Sequence, residues 1–397
     1  MTCIHANEFI EWSIGATIFL CDPSKHSSLV SGNPRDNQLP GIASYLYGAV
    51  TALDASKKTI TIGGDTTVRY KAVIIATGSY TPLFVATPGH TFSQRQQEVA
   101  AFGAAVGQAD ASSHTAVVNG AGLLGLELAG DLRVAHPQLR IVLLSRSGKL
   151  QQHGSLPQDL VAPITARLAK MRIQLVKGTV TAIPSGGDPL QPILTPGSLV
   201  LSDTDGGPTE LTFGVYVPAF AQGPNTRFLP SSALDDQKCL RVDEHLHSIA
   251  FKGLFGVNVV PPPPPELSHP SLAVSQAKAE LCAVNAVHLV RGEPLVARDA
   301  RAKKGGPYKL PFGAYPIRIH VGHGKGGFLF WSDLMANEPM MLCCCQPCKG
   351  GFPICPPPCC WCMGQGCPML CGYCCGPNAS EGAVSASGYQ PAPGPPC

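Results

Sequence analysis

The stretch Thr115-Ala-Val-Val-Asn-Gly-Ala-Gly-Leu-Leu-Gly-Leu-Glu-Leu-Ala-Gly130 runs from a short apolar segment through Gly120-x-Gly122-x-x-Gly125 into a helical pattern. A second apolar run, Arg140-Ile-Val-Leu-Leu-Ser145, follows at the distance a βαβ unit requires. The three glycines have separate physical tasks. The first permits a tight turn, the second lets backbone approach a pyrophosphate, and the third lets helix and strand pack closely. The helix start then offers free N–H groups to phosphates. Such an order restricts this part of the chain to a parallel-sheet α/β fold and points to dinucleotide binding at Gly120, Gly122 and Gly125, the plain alternative being a structural turn.

The 397 residues are 44% hydrophobic and only 14% charged, material for two buried cores. A net charge of +3 without a dense Lys/Arg stripe argues against a nucleic-acid partner. No run of about 18 apolar residues occurs, as a spanning helix needs. The apolar Ile14–Leu20 follows Glu8 and Glu11, where a secretory leader wants positive charge, so no targeting signal is read there. Before residue 340 the cysteines are Cys3, Cys21, Cys239 and Cys282, with no Cys-x-x-Cys pair among them. That sparse use suits a reduced, cytoplasmic body without a redox dithiol.

Alternation over Ala49–Asp54, Thr59–Ile62 and Thr67–Tyr70, with a Gly63-Gly64-Asp65 turn, predicts a β-meander. It feeds an all-apolar strand, Ala72-Val-Ile-Ile-Ala-Thr-Gly78, of the kind found inside parallel sheets. Helical spacing is read over 96–108, about 156–171 and about 272–290. Strand candidates are Arg172–Val176, Val180–Ile183, Leu199–Leu201, Gly214–Val217, Leu240–Val242, Ile249–Val260 and Ile317–Val321. The proline run Pro261–Pro265 favours an extended segment. From Glu338 onward Cys, Pro and Gly dominate without periodicity.

Four matches in order, Tyr70-Lys-Ala-Val-Ile-Ile-Ala-Thr-Gly-Ser79, the glycine motif ending Gly125-Leu-Glu127, Gln222-Gly-Pro-Asn-Thr226 and Leu240-Arg-Val-Asp243, resemble the pyridine-nucleotide-dependent flavoprotein reductases. The resemblance is to the apoptosis-inducing-factor-like and type II NADH dehydrogenase branch. Pro311-Phe-Gly313 and Val321-Gly-His-Gly-Lys-Gly326 look like its C-terminal segment. It implies an α/β fold of two Rossmann-like domains, an FAD domain with an NAD(P)H domain inserted. The implied parts are 1–113 and 226–295 for FAD, 114–225 for NAD(P)H and a C-terminal segment 296–337; the resemblance covers about Val50 to Phe330, and the Cys-rich tail 338–397 is read as disordered from its composition. It also implies hydride passage from NAD(P)H to FAD and on to a quinone or similar small acceptor. No side-chain nucleophile is needed, because the cofactors carry that chemistry.

By position, Ala76, Thr77 and Gly78 resemble the turn that closes on the flavin, and Glu127 stands where the family often has Glu. The other reading of Glu127 is a first-turn carboxylate near the positive helix end. An acidic residue after the second strand would grip the ribose of NADH. Here Ser145-Arg146-Ser147 stands instead, and the Arg146 cation suits the 2′-phosphate of NADPH unless it is simply an exposed charge.

Two departures concern FAD. No strand with a glycine triplet is seen between Met1 and Val50, and Leu254-Phe-Gly-Val-Asn-Val-Val260 lacks the family's ribityl-binding Asp. A catalytically silent, nucleotide-binding or membrane-tethered interaction protein is therefore the rival reading. The Cys-x-x-Cys spacings 345/348, 359/362 and 371/374 admit zinc, S-acylation with peripheral membrane contact, or no defined role. His269 and His288 are assigned no role. Trp331 is read chiefly as core and Lys325 as a loop lysine or an anion contact.

Overall fold

The computed structural model describes residues 1–11, 13–31, 44–150, 158–184, 186–202, 208–261 and 272–297, with the backbone strands of a hairpin at 317–330. The proline run beyond Pro261 and the Cys-rich tail lie outside the described residues, as do Lys325, Trp331 and His269.

The chain opens with β1 (Thr2–His5), a short ribbon of β2 (Ile10–Glu11) with β3 (Val30–Ser31), and between them α1 (Ala16–Cys21). The apolar run at 14–20 forms most of that helix, and Ala16, Phe19 and Leu20 are buried in the main core. β4 (Ser44–Tyr47) pairs parallel with β1. This pair was not anticipated, because neither short strand stands beside a local partner: Thr2 pairs with Ser44, far along the chain. The expected meander follows as β5 (Val50–Asp54), β6 (Thr59–Ile62) and β7 (Thr66–Arg69), and then comes β8 (Val73–Ile75).

α2 (Phe92–Ala111) is longer than its pattern suggested because Thr91 and Gln94 close a reciprocal capping box at its start. Its buried stripe, Arg95, Val99, Phe102, Val106 and Ala109, follows the helical repeat. Arg95 is fully buried yet paired. It donates to both Glu11 oxygens, at 2.8 and 3.0 Å, to Glu98 at 2.7 Å and to the Leu83 carbonyl, while His26 meets Glu11 at 2.7 Å. These contacts tie the N-terminal segment to α2.

β9 (Thr115–Asn119), α3 (Leu123–Ala135), β10 (Arg140–Ser145), α4 (Gln158–Lys170), β11 (Ile173–Lys177) and β15 (Val215–Pro218) build the second domain. Its sheet runs β11-β10-β9-β15, parallel throughout. Ala116 and Val118 face one core, with α2 and α3, whereas Val117 faces another. That alternation explains why the strand reads as continuously apolar. The second face is covered by an antiparallel sheet of β12 (Thr179–Ala182), β13 (Gly197–Ser202) and β14 (Thr209–Phe213), the last of which the sequence pattern missed.

The chain then returns to the first domain. β16 (Leu254–Gly256) pairs parallel with β8, and α5 (Leu272–Arg291) packs Leu281 and Cys282 against Phe255. Leu240–Val242 is not a strand but makes isolated bridges, Leu234 with Leu240 and Val242 with Ser248. Of the expected run 249–260 only the three residues of β16 are strand. β17 (Ile317–His320) and β18 (Gly327–Phe330) form the final hairpin.

Candidate nucleotide-binding site

The Gly120–Gly125 turn lies between the end of β9 and the start of α3, as the sequence requires. Gly120 has φ +126°, in the left-handed region, and a Cβ there would stand 3.0 Å from the Ala219 carbonyl oxygen. Gly122 is the extended N-cap of α3 and caps it with no side chain, so the first amides of the helix remain directed at the turn. At Gly125 a Cβ would fall 1.8 Å from the Gly120 carbonyl oxygen, so a side chain is impossible without moving the turn. The cradle therefore fits a diphosphate: close backbone, uncapped amides and the positive end of a thirteen-residue helix.

Asn119, just before the turn, is held in place. Its Nδ2 donates to the Tyr216 hydroxyl at 2.8 Å, and that hydroxyl donates to the Pro189 carbonyl at 2.7 Å. Tyr216 is fully buried, and burial raises its phenol above the ordinary value although the Asn119 hydrogen bond works the other way. It thus stays a neutral donor. Neither residue was singled out by sequence reasoning; the only signal was the polar Asn119 beside Gly120.

At the end of β10, the buried Ser145 organises the turn. Its carbonyl accepts from Gly148 N–H and Gly178 N–H, and its hydroxyl donates to the Lys149 carbonyl. Arg146 and Ser147 are consequently exposed at the same end of the sheet as the glycine turn. Among the described residues Arg146 has no carboxylate at ion-pair distance. Glu127 is half-buried and falls beyond the first turn of α3, which corrects its reading as a first-turn carboxylate.

A second junction lies at the end of β8. Ala76 and Thr77 are exposed, and Gly78 has φ +63° with nothing near its would-be Cβ. The segment that carries Gln222-Gly-Pro-Asn-Thr226 clasps it. Thr77 Oγ1 donates to the Asn225 carbonyl at 2.6 Å, Asn225 Nδ2 donates to the Thr77 carbonyl at 3.0 Å and Asn225 N–H to the Gly78 carbonyl at 2.8 Å. Two motifs recognised separately in the sequence are therefore one structure, and Asn225, quoted within its motif but given no role there, is the residue that joins them.

These two junctions differ as nucleotide sites. The turn 76–78 sits at the C-terminal end of a parallel strand, where α/β sheets bind ligands, but no glycine cradle stands beside it among the described residues. Where a ribityl-binding Asp is expected, Asn258 has φ +60° and its Nδ2 donates to Ser275. The described residues thus fit a pyridine nucleotide at the first junction and supply only one wall for FAD at the second. Among them there is no cluster of metal-ligand character and no helix long and apolar enough to cross a membrane.

The sequence profile described as pyridine nucleotide-disulphide oxidoreductase matches residues 2–257. Oxidoreductase OXR1 of Ajellomyces capsulatus is 27% identical over 216 residues, 53% of this chain and 45% of its own length. Oxidoreductase ptaL of Pestalotiopsis fici is 27% identical over 234 residues, 54% of this chain and 55% of its own. The chain thus spans about half the length of the curated relatives it matches. Among solved structures, the sulfide:quinone oxidoreductase of Aquifex aeolicus superposes with a TM-score of 0.62 at 16% identity, covering 84% of this chain and 77% of that one. A water-forming NADPH oxidase bound to NADPH, engineered from an enzyme called LbNOX, gives 0.54 at 15% identity, covering 80% and 73%. These likenesses show the fold. With the profile covering well over half of the residues, the chain belongs to the pyridine nucleotide-disulphide oxidoreductase family.

Proposed function

We propose that this chain is an NAD(P)H-dependent oxidoreductase of the FAD-using type, with NADPH its preferred donor and a quinone or similar small molecule its acceptor. One observation carries the reading: Gly125 and Gly120 are packed so closely that no side chain fits, around a helix start with no side-chain cap. Gly120, Gly122 and Gly125 hold the pyrophosphate, and Asn119, fixed by Tyr216, orients the turn. Arg146 reaches the 2′-phosphate. The engineered NADPH oxidase supports this preference, since its changes remove an aspartate and introduce two arginines and a serine. The quinone rests on the likeness to a sulfide:quinone oxidoreductase.

The proposal extends to the domain limits 1–113 with 226–295 for FAD, 114–225 for NAD(P)H, 296–337 and the tail 338–397, and to a cytoplasmic protein tethered by S-acylation of that tail. Loss of membrane fractionation after hydroxylamine is expected; a tail deletion that leaves fractionation unchanged overturns the tether.

Titration of the purified chain with NADPH, followed by nucleotide fluorescence, tests the main reading: saturable uptake is expected, and its absence in folded protein overturns it. Arg146→Asp should weaken NADPH by about tenfold or more, the scale of one charge-assisted hydrogen bond, and NADH much less. Equal losses for both would remove Arg146 from the site. A second reading, a silent nucleotide-binding protein, is favoured by the incomplete FAD wall. A yellow preparation that retains FAD decides for the enzyme, and a colourless one that takes up none decides for the silent protein.

A further inference from the structure

The N-terminal ends of β9, β10 and β11 lie at the opposite edge of their sheet from the glycine turn. A cavity of about 420 Å³ opens there, within the range of about 300–1,000 Å³ typical of small-molecule sites. Strand register explains what lines it. Thr115 stands beside Arg140 and Gln174 beside Val142, so alternation puts Thr115, Arg140 and Gln174 on the face that Val142 turns to the antiparallel sheet. Thr212 of β14 closes that side, and Arg172 enters from the turn before β11. From the other face α3 brings Arg133.

Three arginines therefore line one cavity, and no Asp or Glu lines it with them. Arg133 is the least exposed of the three and donates to the carbonyls of Met171, His136, Pro137 and Arg172, around the ends of α3 and α4. Those carbonyls are the negative ends of two helices, and Arg133 answers them. Burial, and then the charge of Arg172, push its guanidinium below the ordinary value; Asp110, which works the other way, lies 3.5 Å from His136. Arg140 and Arg172 are exposed, with no carboxylate at ion-pair distance among the described residues. The side chains of Thr115, Gln174 and Thr212 likewise make no hydrogen bond among them. Positive charge with its donors uncommitted, gathered round a recess, is the setting in which an anion is held.

The charge count selects the anion. A carboxylate satisfies one guanidinium fork, whereas a phosphomonoester carries nearly two charges and three acceptor oxygens. Pro137 and Leu211 add an apolar wall that a bare phosphate would leave unused. We propose that this cavity is a site for a small organic phosphomonoester. Arg140 and Arg172 grip its phosphoryl group with Thr115 and Thr212, Arg133 adds charge from below, and the organic part lies on Pro137 and Leu211. The five residues of β9, at about 3.3 Å each, separate it from the glycine turn. It shares no residue with the nucleotide site, so its failure would leave the proposed function standing.

Calorimetric titration of the full chain with phenyl phosphate tests the site. Saturable binding is expected, weakened about tenfold or more by Arg140→Gln or by Arg172→Gln, the scale of one lost charge-assisted hydrogen bond. Benzoate, with a single charge, and inorganic phosphate, with no organic part, should each bind about tenfold more weakly or worse. In the unaltered chain, phenyl phosphate should shield Arg140 and Arg172, and not Arg146, from phenylglyoxal, read by mass spectrometry of the modified peptides. Four outcomes overturn the inference: no saturable binding of phenyl phosphate, binding that both variants retain in full, benzoate or inorganic phosphate bound as tightly, or shielding of Arg146 in place of Arg140 and Arg172. Saturable NADPH uptake, unchanged in both variants, reports separately on the proposed function.

Discussion

Gly125 is where a single methyl group decides most. Its Cβ would overlap the Gly120 carbonyl oxygen, and the neighbour in the way is backbone, which cannot swing aside as a side chain does. Gly125→Ala should cost about 1–3 kcal/mol of stability through overpacking, read as a lowered urea midpoint, and should abolish saturable NADPH uptake. Glu11 is the second such residue. Burial by itself would raise its carboxyl, but the hydrogen bonds and charges of His26 and Arg95 outweigh burial and hold it below the ordinary value. A carboxyl depressed in the folded state stabilises the protein above its unfolded value, near about 4.3, and that contribution is lost as pH falls through the folded value. Stability should therefore drop on the acid side, below about pH 4.5. Glu11→Gln, which leaves Arg95 buried with one ionic partner fewer, should destabilise by about 3 kcal/mol at neutral pH and flatten that acid loss in urea titrations run across pH.

α2 shows how an element can exceed its pattern. The hydrophobic stripe alone suggests a helix over 96–108, yet the capping box at Thr91 extends it to Phe92, where no stripe is visible. Thr91→Ala should lower stability by about 1 kcal/mol in a denaturant melt, with fraying confined to the first turn by amide exchange. α3 behaves differently. Its apolar start is long enough to be read directly, because the residues that bury it on β9 are close in sequence. β1 and β4 were invisible or nearly so, since each acquires its meaning from a partner far along the chain, as Thr2 does from Ser44, 42 residues away, whereas β14 is polar and mostly exposed apart from Leu211 and Phe213 and offers little apolar alternation although its partner β13 is adjacent.

For the whole molecule, NADPH binding and global stability should be linked. A ligand held only by the folded chain stabilises it by about 2.7 kcal/mol at a hundred times its dissociation constant, so the thermal midpoint should climb with NADPH concentration and climb less in the Arg146→Asp variant. A midpoint that ignores NADPH would contradict the proposed site. The sequence by itself determined the βαβ nucleotide unit, its glycine turn, the meander and the family resemblance, because these rest on local periodicity and on glycines whose spacing has a steric cause. Only the tertiary structure decided that Thr77 and Asn225, 148 residues apart, form one clasp. The same holds for the Glu11, His26 and Arg95 network and for the two parallel ribbons, β1 with β4 and β8 with β16. Hydrogen bonds between distant segments depend on where the packed core brings their backbones, and no short window of residues carries that information.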